Sequence, residues 1–179
     1  MNNKNKKIII AICGSVAAVK TPELIREFKR NSVDVSCVMS ESAKKIIHKN
    51  VLEWASENEV TTKLTGKVEH VTSCGTFGDA NLLLICPATS NTISKIACGI
   101  DDTTVTTFAA TAIGSGKKVV IVPAMHLAMY NNPFVVENIE KLKKTGVLFI
   151  EPRIEENKAK LASNGEIVKF ILNLLSKNI

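Results

Sequence analysis

The sequence predicts a single α/β domain in which a parallel sheet is covered by helices on both faces. Short apolar runs rich in β-branched residues alternate with longer segments of helical period. The short runs are apolar on both faces, as strands of a parallel sheet are when helices cover both sides. The chain has 179 residues and is 45% hydrophobic, so we expect one domain with its own core over residues 1–179.

The first elements follow from local patterns near the start of the chain. Residues 7–12 are a nearly continuous apolar run and predict the first strand, preceded by a disordered extension over residues 1–6. Residues 22–30 place their apolar side chains on one side of a helix. Residues 34–39 predict the second strand, and residues 41–48 predict the start of a second helix.

The later elements continue the alternation of strand and helix. Residues 151–164 are polar and without periodicity, so they predict a loop. The remaining predicted elements are a strand over 82–86, a helix over 90–98 that ends at Gly99, a strand over 118–122, a helix over 133–144, a strand over 147–150 and an amphipathic helix over 165–177.

Charge and aromatic content narrow the function classes. Lys and Arg number 23 against 17 Asp and Glu, a net charge of +6, and aromatic residues make up 4%. Single-stranded nucleic acid is bound by stacking on several aromatic side chains, so this composition argues against a nucleic-acid partner. A dispersed positive surface suits small anionic ligands instead.

The cysteines and the N-terminus indicate a cytoplasmic protein without a membrane span. Five cysteines are an odd number with no C-x-x-C pair, which predicts neither a disulfide framework nor a metal site. Cys13, Cys37 and Cys86 lie in apolar runs, where a free thiol behaves as a small hydrophobic group. The lysines before residue 8 imitate a secretory signal, but the apolar run contains Gly14 and Ser15 and leads directly into an amphipathic segment. No stretch approaches the ~20 apolar residues of a membrane span.

Small hydroxyl residues follow several of the predicted strands. The carboxyl ends of parallel strands are where open sheets bind ligands, and Ser15, Ser40 and Ser90 lie there at the start of helical segments. Backbone N–H groups at helix starts, with hydroxyls beside them, bind phosphate. Each serine is equally explained as an ordinary N-cap. Neither G-x-G-x-x-G nor the P-loop pattern occurs, so the familiar nucleotide motifs are absent from the sequence.

Two segments resemble motifs of a known family. Residues 87–92 (PATSNT) are similar to a P-A-S-A-N-T motif, residues 123–130 (PAMHLAMY) are similar to P-x-M-N-x-x-M-W, and His70 precedes both. These are motifs of the FMN-dependent cysteine decarboxylases, the flavoproteins that include phosphopantothenoylcysteine decarboxylase. The resemblance extends over residues 7–170. It implies a flavodoxin-like (Rossmann-like) doubly wound sheet, assembled as a trimer or a dodecamer of trimers, with FMN at the contact between subunits.

The resemblance also implies roles for individual residues, with His70 and His126 as catalytic candidates. The substrate side would include Met125, Met129, Lys158 and Lys160. The FMN phosphate would be held by Gly14, Ser15, Val16 and Ser40, and its ribityl chain and ring by Thr89, Ser90, Asn91 and Thr92.

The chemistry of cysteine decarboxylation explains why a flavin is needed. Loss of carbon dioxide leaves an electron pair on Cα, which an alkyl thiol cannot accept. Oxidation of the Cβ–SH unit to a thioaldehyde creates an acceptor, and FMN is a two-electron oxidant suited to that step. His70 is expected to remove the thiol proton or position the substrate, because imidazole titrates near neutral pH. The alternative for His70 is a surface loop histidine that precedes a strand.

Two departures from the family pattern affect the substrate assignment. His126 stands where the motif has Asn; both side chains donate hydrogen bonds to a carboxylate, but they differ in size and charge. The family's flap cysteine has no counterpart here, since no cysteine follows Cys98. Lys158 and Lys160 in the flap segment are either clamps for a phosphate or carboxylate or ordinary solvated lysines.

The favoured function is FMN-dependent decarboxylation of 4′-phosphopantothenoylcysteine to 4′-phosphopantetheine in coenzyme A biosynthesis. The alternatives are a peptide-cysteine decarboxylase, a flavin reductase or electron carrier, a flavin prenyltransferase, and a non-enzymatic binding subunit of the same fold. The absent flap thiol and His126 motivate these alternatives.

Overall fold

A computed structural model of the chain describes residues 6–177. These residues form strands and helices in alternation. The strands are β1 (Lys6–Ile12), β2 (Val33–Met39), β3 (Val60–Thr61), β4 (Leu82–Ala88), β5 (Lys118–Pro123), β6 (Met125–His126), β7 (Leu148–Phe149), β8 (Arg153–Glu155) and β9 (Lys158–Lys160). The α-helices are α1 (Thr21–Arg30), α2 (Lys49–Ser56), α3 (Glu69–Cys74), α4 (Ser90–Ala97), α5 (Thr104–Gly114), α6 (Leu127–Tyr130), α7 (Pro133–Lys144) and α8 (Asn164–Ser176).

The main sheet has six strands in the order β3-β2-β1-β4-β5-β7, and all neighbouring strands run parallel. Counting only these strands, the order is the doubly wound 3-2-1-4-5-6, whose strand order reverses between β1 and β4. The predicted class, a single α/β domain with a parallel sheet, is therefore confirmed. A ligand is expected at the carboxyl ends of β1 and β4, where neighbouring connections diverge to opposite faces.

Alternating residues of the central strands supply two cores, one on each face. Ile8, Ile10 and Ile12 of β1 pack on one face with side chains of α1, α2 and α8. Ile9 and Ala11 pack on the other face with side chains of α4, α5 and α7. Successive side chains of a strand point to opposite sides, so burial on both faces needs the continuous apolar run that predicted β1. Strand β1 begins at Lys6, one residue before the predicted start, and residues 1–5 of the predicted extension lie outside the described residues.

The predicted helix start over residues 41–48 is wrong. A single 3-10 turn spans Ala43–Lys45, and the α-helix begins only at Lys49. Ser40 accepts the Ala43 N–H at 3.2 Å and holds the chain in this turn. His48 then caps α2, because its Nδ1 accepts the Asn50 N–H at 3.3 Å.

The predicted loop over residues 151–164 is also wrong in part. Strands β8 and β9 form an antiparallel hairpin within it, and β9 pairs in turn with β6. The two connecting residues, Glu156 and Asn157, have φ values of 50° and 55°. Two left-handed residues make the tight turn whose twist matches a hairpin. The hairpin escaped prediction because each strand has three residues, and Glu is not a residue that marks such a turn.

Candidate active site

The ends of the central strands enclose a cavity of about 250 Å³. We call it the strand-end cavity. It contains most of the residues that the sequence predicted to bind the cofactor. Its lining consists of Gly14, Ser40, Glu41, Ser42, Thr89, Ser90, Asn91, Thr92, Lys95, Thr103 and Met129.

The start of α4 presents backbone donors to the strand-end cavity. Thr89 precedes the helix in an extended conformation, and its Oγ1 accepts the Thr92 N–H at 3.3 Å. The first N–H groups of a helix have no helical acceptor, so those of Ser90 and Asn91 remain to bind a ligand. The positive end of the helix dipole lies at the same place. This arrangement suits an anionic or strongly polar group.

Gly14 is a position where the chain approaches a neighbouring loop very closely. A Cβ at Gly14 would overlap the Cβ of Ser42, which follows β2. Only glycine therefore lets the two loops close around the cavity. A narrow backbone cradle that a Cβ would fill, beside helix-start N–H groups, fits the phosphate of a flavin mononucleotide.

A second cavity of about 450 Å³ adjoins the first. It lies between the 3-10 helix Val16–Lys20 and the small sheet of β6, β9 and β8, and we call it the hairpin cavity. Ser15 lies at the border of the two cavities, next to Gly14 in the chain, and its Oγ donates to the Ala124 carbonyl at 3.1 Å within the hairpin cavity. The lining is Ser15, Val16, Ala17, Lys20, Ala124, Met125, His126, Lys158, Ala159, Lys160 and Leu161.

The predicted site residues are thus divided between the cavities. Ser15 and Val16 line the hairpin cavity, not the one that contains Gly14 and Ser40. The two methionines are divided as well: Met125 lines the hairpin cavity and Met129 the strand-end cavity.

His126 lies at the boundary between β6 and α6. Its side chain is exposed, and its Nδ1 accepts the Ala128 N–H at 3.4 Å. Because Nδ1 accepts, the proton of the neutral ring is on Nε2, which is available to a ligand. His126 also faces Lys158 across the β6–β9 pair, so the two side chains share one end of the hairpin cavity.

His70 lies apart from both cavities of its own chain. It belongs to α3, so the alternative of a loop histidine is wrong. Its ring meets Phe108 of α5 edge-on at 6.4 Å between centroids. The buried Nδ1 has no hydrogen-bond partner among residues 6–177. The His70 ring is therefore half-buried, and its unpaired nitrogen is the one on the buried side.

The cysteines near the site are core thiols, as predicted. Cys13, Cys37 and Cys86 are buried and free. Burial raises the pKa of Cys13 to about 11, so the residue beneath Thr89 and Thr92 is a neutral thiol near pH 7. Among residues 6–177, no group of three acidic, His or Cys side chains could hold a metal ion. The same residues include no helix long and apolar enough to cross a membrane.

Sequence reasoning missed several lining residues and the helices α3, α5 and α6. Thr103 caps α5 through a reciprocal pair of hydrogen bonds with Thr106, and Thr104 Oγ1 donates to the Met39 carbonyl at 2.6 Å, which joins α5 to the end of β2. The signal was present, since Val105, Phe108, Ala109 and Ala112 are spaced as one helix face. Ser42, Lys95 and Lys20 carried no local signal, because each reaches its cavity only through the fold.

Comparison with known families identifies the chain. The family model described as Flavoprotein matches residues 1–176. The chain belongs to the Flavoprotein family. The resemblance read from the PATSNT and PAMHLAMY segments is therefore confirmed.

Sequence relatives are enzymes named for coenzyme A biosynthesis. The bifunctional protein CoaBC of Thermococcus kodakarensis is 56% identical over 171 residues, 95% of this chain and 42% of that protein. CoaBC of Methanocaldococcus jannaschii is 41% identical over 98% of this chain and 42% of that protein. The chain therefore spans about two fifths of the length of these relatives. The probable phosphopantothenoylcysteine decarboxylase of Streptococcus mutans is 32% identical, with 83% of each chain covered.

Solved structures of cysteine decarboxylases share the fold. The peptidyl-cysteine decarboxylase EpiD superposes with a TM-score of 0.82 at 27% identity and covers 93% of this chain and 98% of its own. The FMN-dependent cysteine decarboxylase SpaF has a TM-score of 0.80 at 25% identity, and the match covers 95% of this chain and 97% of SpaF. A PPC decarboxylase mutant complexed with pantothenoylaminoethenethiol has a TM-score of 0.80 at 24% identity, and the match covers 96% of this chain and 99% of the mutant. At this identity the likeness is one of fold.

Proposed function

We propose that the chain is an FMN-dependent decarboxylase that converts 4′-phosphopantothenoylcysteine to 4′-phosphopantetheine in coenzyme A biosynthesis. One observation carries the proposal: a cradle suited to a flavin phosphate and a larger cavity suited to a substrate adjoin at Gly14 and Ser15. The name of the Streptococcus mutans relative, which this chain matches over most of both lengths, supports the same reaction.

FMN is assigned to the strand-end cavity. Gly14 and Ser40, with Ser15 and Val16 at the border, are placed around the phosphate. Asn91 and its neighbours Thr89, Ser90 and Thr92 are placed along the ribityl chain and ring. Bound FMN would accept two electrons from the substrate's Cβ–SH unit and, after carbon dioxide is lost, would return them to the ene-thiol to give the saturated product.

The substrate is assigned to the hairpin cavity. His126 donates a hydrogen bond from Nε2 to the substrate carboxylate and so orients the bond that breaks. Met125 and Met129 are assigned to either side of this position, where their apolar side chains would limit the access of water once the substrate is bound. Exclusion of water favours loss of neutral carbon dioxide from a charged carboxylate.

His70 is assigned the removal of the thiol proton. Because it lines neither cavity of its own chain, this role requires a second copy of the chain, which agrees with a trimer or a larger assembly of trimers with FMN at the subunit contact. The surface beside His70 supports such a contact, since Val71 is 47% exposed and Phe77 is fully exposed. We place the assembled enzyme in the cytoplasm.

The test uses the purified protein and 4′-phosphopantothenoylcysteine. We expect flavin absorbance, release of carbon dioxide from 4′-phosphopantothenoylcysteine, and a loss of at least about a hundredfold in His70→Asn, the lower range for a general base. Colourless protein that takes up no added FMN, or yellow protein that releases no carbon dioxide from this substrate, would reject the proposal.

The missing flap thiol favours a second candidate. No cysteine follows Cys98 in the sequence. Within the β8–β9 hairpin, the side chains that could donate a proton in place of the flap thiol are those of Lys158 and Lys160. Peptide-cysteine decarboxylation that ends at the ene-thiol needs no such donor, and the likeness to EpiD agrees with it. Mass analysis of the product distinguishes the saturated thiol from the ene-thiol, and a cysteine-terminated peptide tests the substrate directly.

A further inference from the structure

Formation of a saturated thiol requires a proton donor at Cα of the substrate. Loss of carbon dioxide breaks the bond between Cα and the carboxylate, and its electron pair forms a Cα–Cβ double bond, which gives an ene-thiolate. The saturated product then needs a hydride at Cβ, which returns from the reduced flavin, and a proton at Cα. The sulfur regains the proton that was removed from the thiol at the start. The proton at Cα is therefore the one that still needs a source.

The lining of the hairpin cavity offers few acids for this step. Among the described residues, no Asp, Glu or Cys lines this cavity. Its nitrogen acids are Lys20, His126, Lys158 and Lys160. Ammonium groups of lysine titrate at about pH 10, whereas imidazolium titrates near neutral pH, where a general acid is most effective. Histidine is thus the side chain best suited to give up a proton here.

Two other acids nearby hold their protons tightly. Lys160 lies 2.9 Å from a carboxylate oxygen of Glu156 and 3.2 Å from one of Glu155, and hydrogen bonds to both raise its pKa. Tyr130 of α6 donates to a carboxylate oxygen of Glu151 at 2.6 Å, and burial together with this bond raises its pKa. Neither group is a good proton donor near pH 7.

His126 is placed where the proton is needed. Its Nε2 is assigned to the substrate carboxylate, which is bonded to Cα. Loss of carbon dioxide removes the acceptor of this hydrogen bond and leaves the Nε2 proton beside Cα. A carboxylate next to an imidazole favours the imidazolium, so the ring can carry the additional proton at that moment. Protonation of Nδ1 costs only the long 3.4 Å bond from the Ala128 N–H.

The fold holds His126 against the hairpin. The N–H of Leu127, the next residue, donates to the Asn157 carbonyl at 3.0 Å and so joins α6 to the hairpin turn. Across the β6–β9 pair, His126 faces Lys158. Lys158 is therefore the charged neighbour of the imidazole and the rival proton donor, and the test must separate the two.

We propose that His126 is the acid that protonates Cα after carbon dioxide has left, so that the chain forms a saturated thiol without a cysteine in its flap segment. The inference rests on the proposed function, because that function places the carboxylate at His126. Asparagine can hold a carboxylate by a hydrogen bond but has no proton to give up, whereas histidine does both. The two departures from the family pattern then compensate each other.

Hydrogen exchange at Cα tests this step without decarboxylation and without flavin turnover. The probe is the ene-thiol that 4′-phosphopantothenoylcysteine gives on loss of carbon dioxide, mixed with the purified protein in D2O. Reversible protonation at Cα replaces its hydrogen by deuterium, which NMR detects. We expect the wild type to exchange at least about a hundredfold faster than His126→Asn, the lower range for general acid–base catalysis. Lys158→Met should keep the fast exchange.

A matched control comes from a second histidine with the same capping role. His48 Nδ1 accepts the Asn50 N–H at 3.3 Å at the start of α2, as His126 Nδ1 does for Ala128, but His48 lines neither cavity. His48→Asn should therefore exchange as the wild type does.

A single turnover of the FMN-loaded protein without dioxygen gives a second readout. With 4′-phosphopantothenoylcysteine, the wild type should yield the saturated thiol and oxidised, yellow flavin. Because carbon dioxide leaves before the proposed step, His126→Asn should still release it. Its product should be the ene-thiol, lighter by two hydrogen atoms, and its flavin should stay bleached.

The outcomes separate this inference from the proposed function. Equal exchange in the wild type and His126→Asn, or a saturated thiol from folded His126→Asn, would overturn the role of His126. Slow exchange in Lys158→Met beside fast exchange in His126→Asn would assign the acid to Lys158 and overturn it as well. Exchange that depends on His126, in a protein that releases no carbon dioxide, would uphold the acid and reject the decarboxylase. Far-ultraviolet circular dichroism checks that each variant is folded.

Discussion

The two adjoining cavities are built by opposite means. In the strand-end cavity, hydroxyl side chains bond to backbone groups a few residues away: Ser40 to Ala43 and Thr89 to Thr92. In the hairpin cavity, the wall depends on strand pairing between β6 and β9 and on one hydrogen bond from Ser15 to Ala124. The side-chain bonds of the first cavity thus join near neighbours in the chain, whereas the wall of the second depends on contacts between distant segments.

The difference matches what each cavity is proposed to hold. A resident cofactor is bound best by a preformed cradle, because little conformational freedom is lost on binding. A substrate must enter and leave, so its cavity is bounded by an exposed hairpin whose Ile154 is 54% exposed. The following predictions, in order of decreasing expected effect, test this contrast.

Alkaline pH should destabilise the core through its buried cysteines, which residues 153–160 of the hairpin do not contain. Burial raises the pKa of Cys13 to about 11 and of Cys37 to about 12, from 9.0. Above pH 9 the unfolded chain releases thiol protons that the folded chain retains, so the stability present below pH 9 falls as pH rises toward 11. We expect a loss on the order of several kcal/mol by pH 11, measured by urea denaturation.

A matched variant identifies the source of this loss. Cys37→Ala should show a shallower decline between pH 9 and pH 11, because it has one fewer buried thiol. An identical decline in wild type and variant would show that other groups titrate instead.

Gly14→Ala should weaken the binding of FMN while the domain stays folded. The added Cβ overlaps the Cβ of Ser42, so the two loops must separate. We expect flavin affinity to fall at least about tenfold, measured by fluorescence titration with FMN. Ser42→Gly in the same chain should restore part of the affinity. Gly165→Ala is the control, since a Cβ there meets no atom within 4 Å, and it should bind FMN as the wild type does.

His126→Ala should weaken catalysis more than His126→Asn does. Alanine removes both the helix cap for Ala128 and the donor for the substrate, whereas asparagine supplies both. We expect kcat/KM to fall about tenfold in the alanine variant and less than about threefold in the asparagine variant. Equal losses in the two variants would show that the imidazole itself is required.

Asn157→Val should loosen the hairpin with the smallest effect of the set. A β-branched residue is strained at the φ of 55° that the turn requires. We expect a loss of about 1 kcal/mol in the free energy of unfolding, measured by thermal or urea denaturation. Asn157→Gly, which adopts this φ freely, should lose nothing. If Asn157→Val has the same free energy of unfolding as the wild type, the turn is not held in the hairpin form.

The sequence predicted the frame of the protein better than its connections. The continuous apolar runs identified β1, β2, β4 and β5, because strands buried on both faces leave an unambiguous pattern. Residues 41–48 looked helical, but Ser40 and His48 divide the segment into a turn and a later helix. Short elements such as β3, α3 and the hairpin carry too few residues for a periodic signal.

The sequence located the residues at the strand ends. It did not show that these residues are divided between two cavities. Gly14 and Ser15 are adjacent in the chain, yet they line different cavities because the Ser15 hydroxyl is drawn to Ala124. His70 was identified by its resemblance to the family's active-site histidine. Its packing against Phe108, apart from both cavities of its own chain, could be learned only from the structure.

By itself, the sequence determined a parallel sheet covered by helices and a ligand site at its carboxyl edge, because hydrophobic period and helix capping are local properties. Tertiary structure alone decided which charges meet. Lys20, Lys158 and Lys160 line one cavity although Lys20 is far from the other two in the chain, and Lys160 pairs with Glu155 and Glu156 of its own hairpin. Electrostatic interaction depends on distance in space, and distance between residues far apart in the chain is set only when the sheet closes.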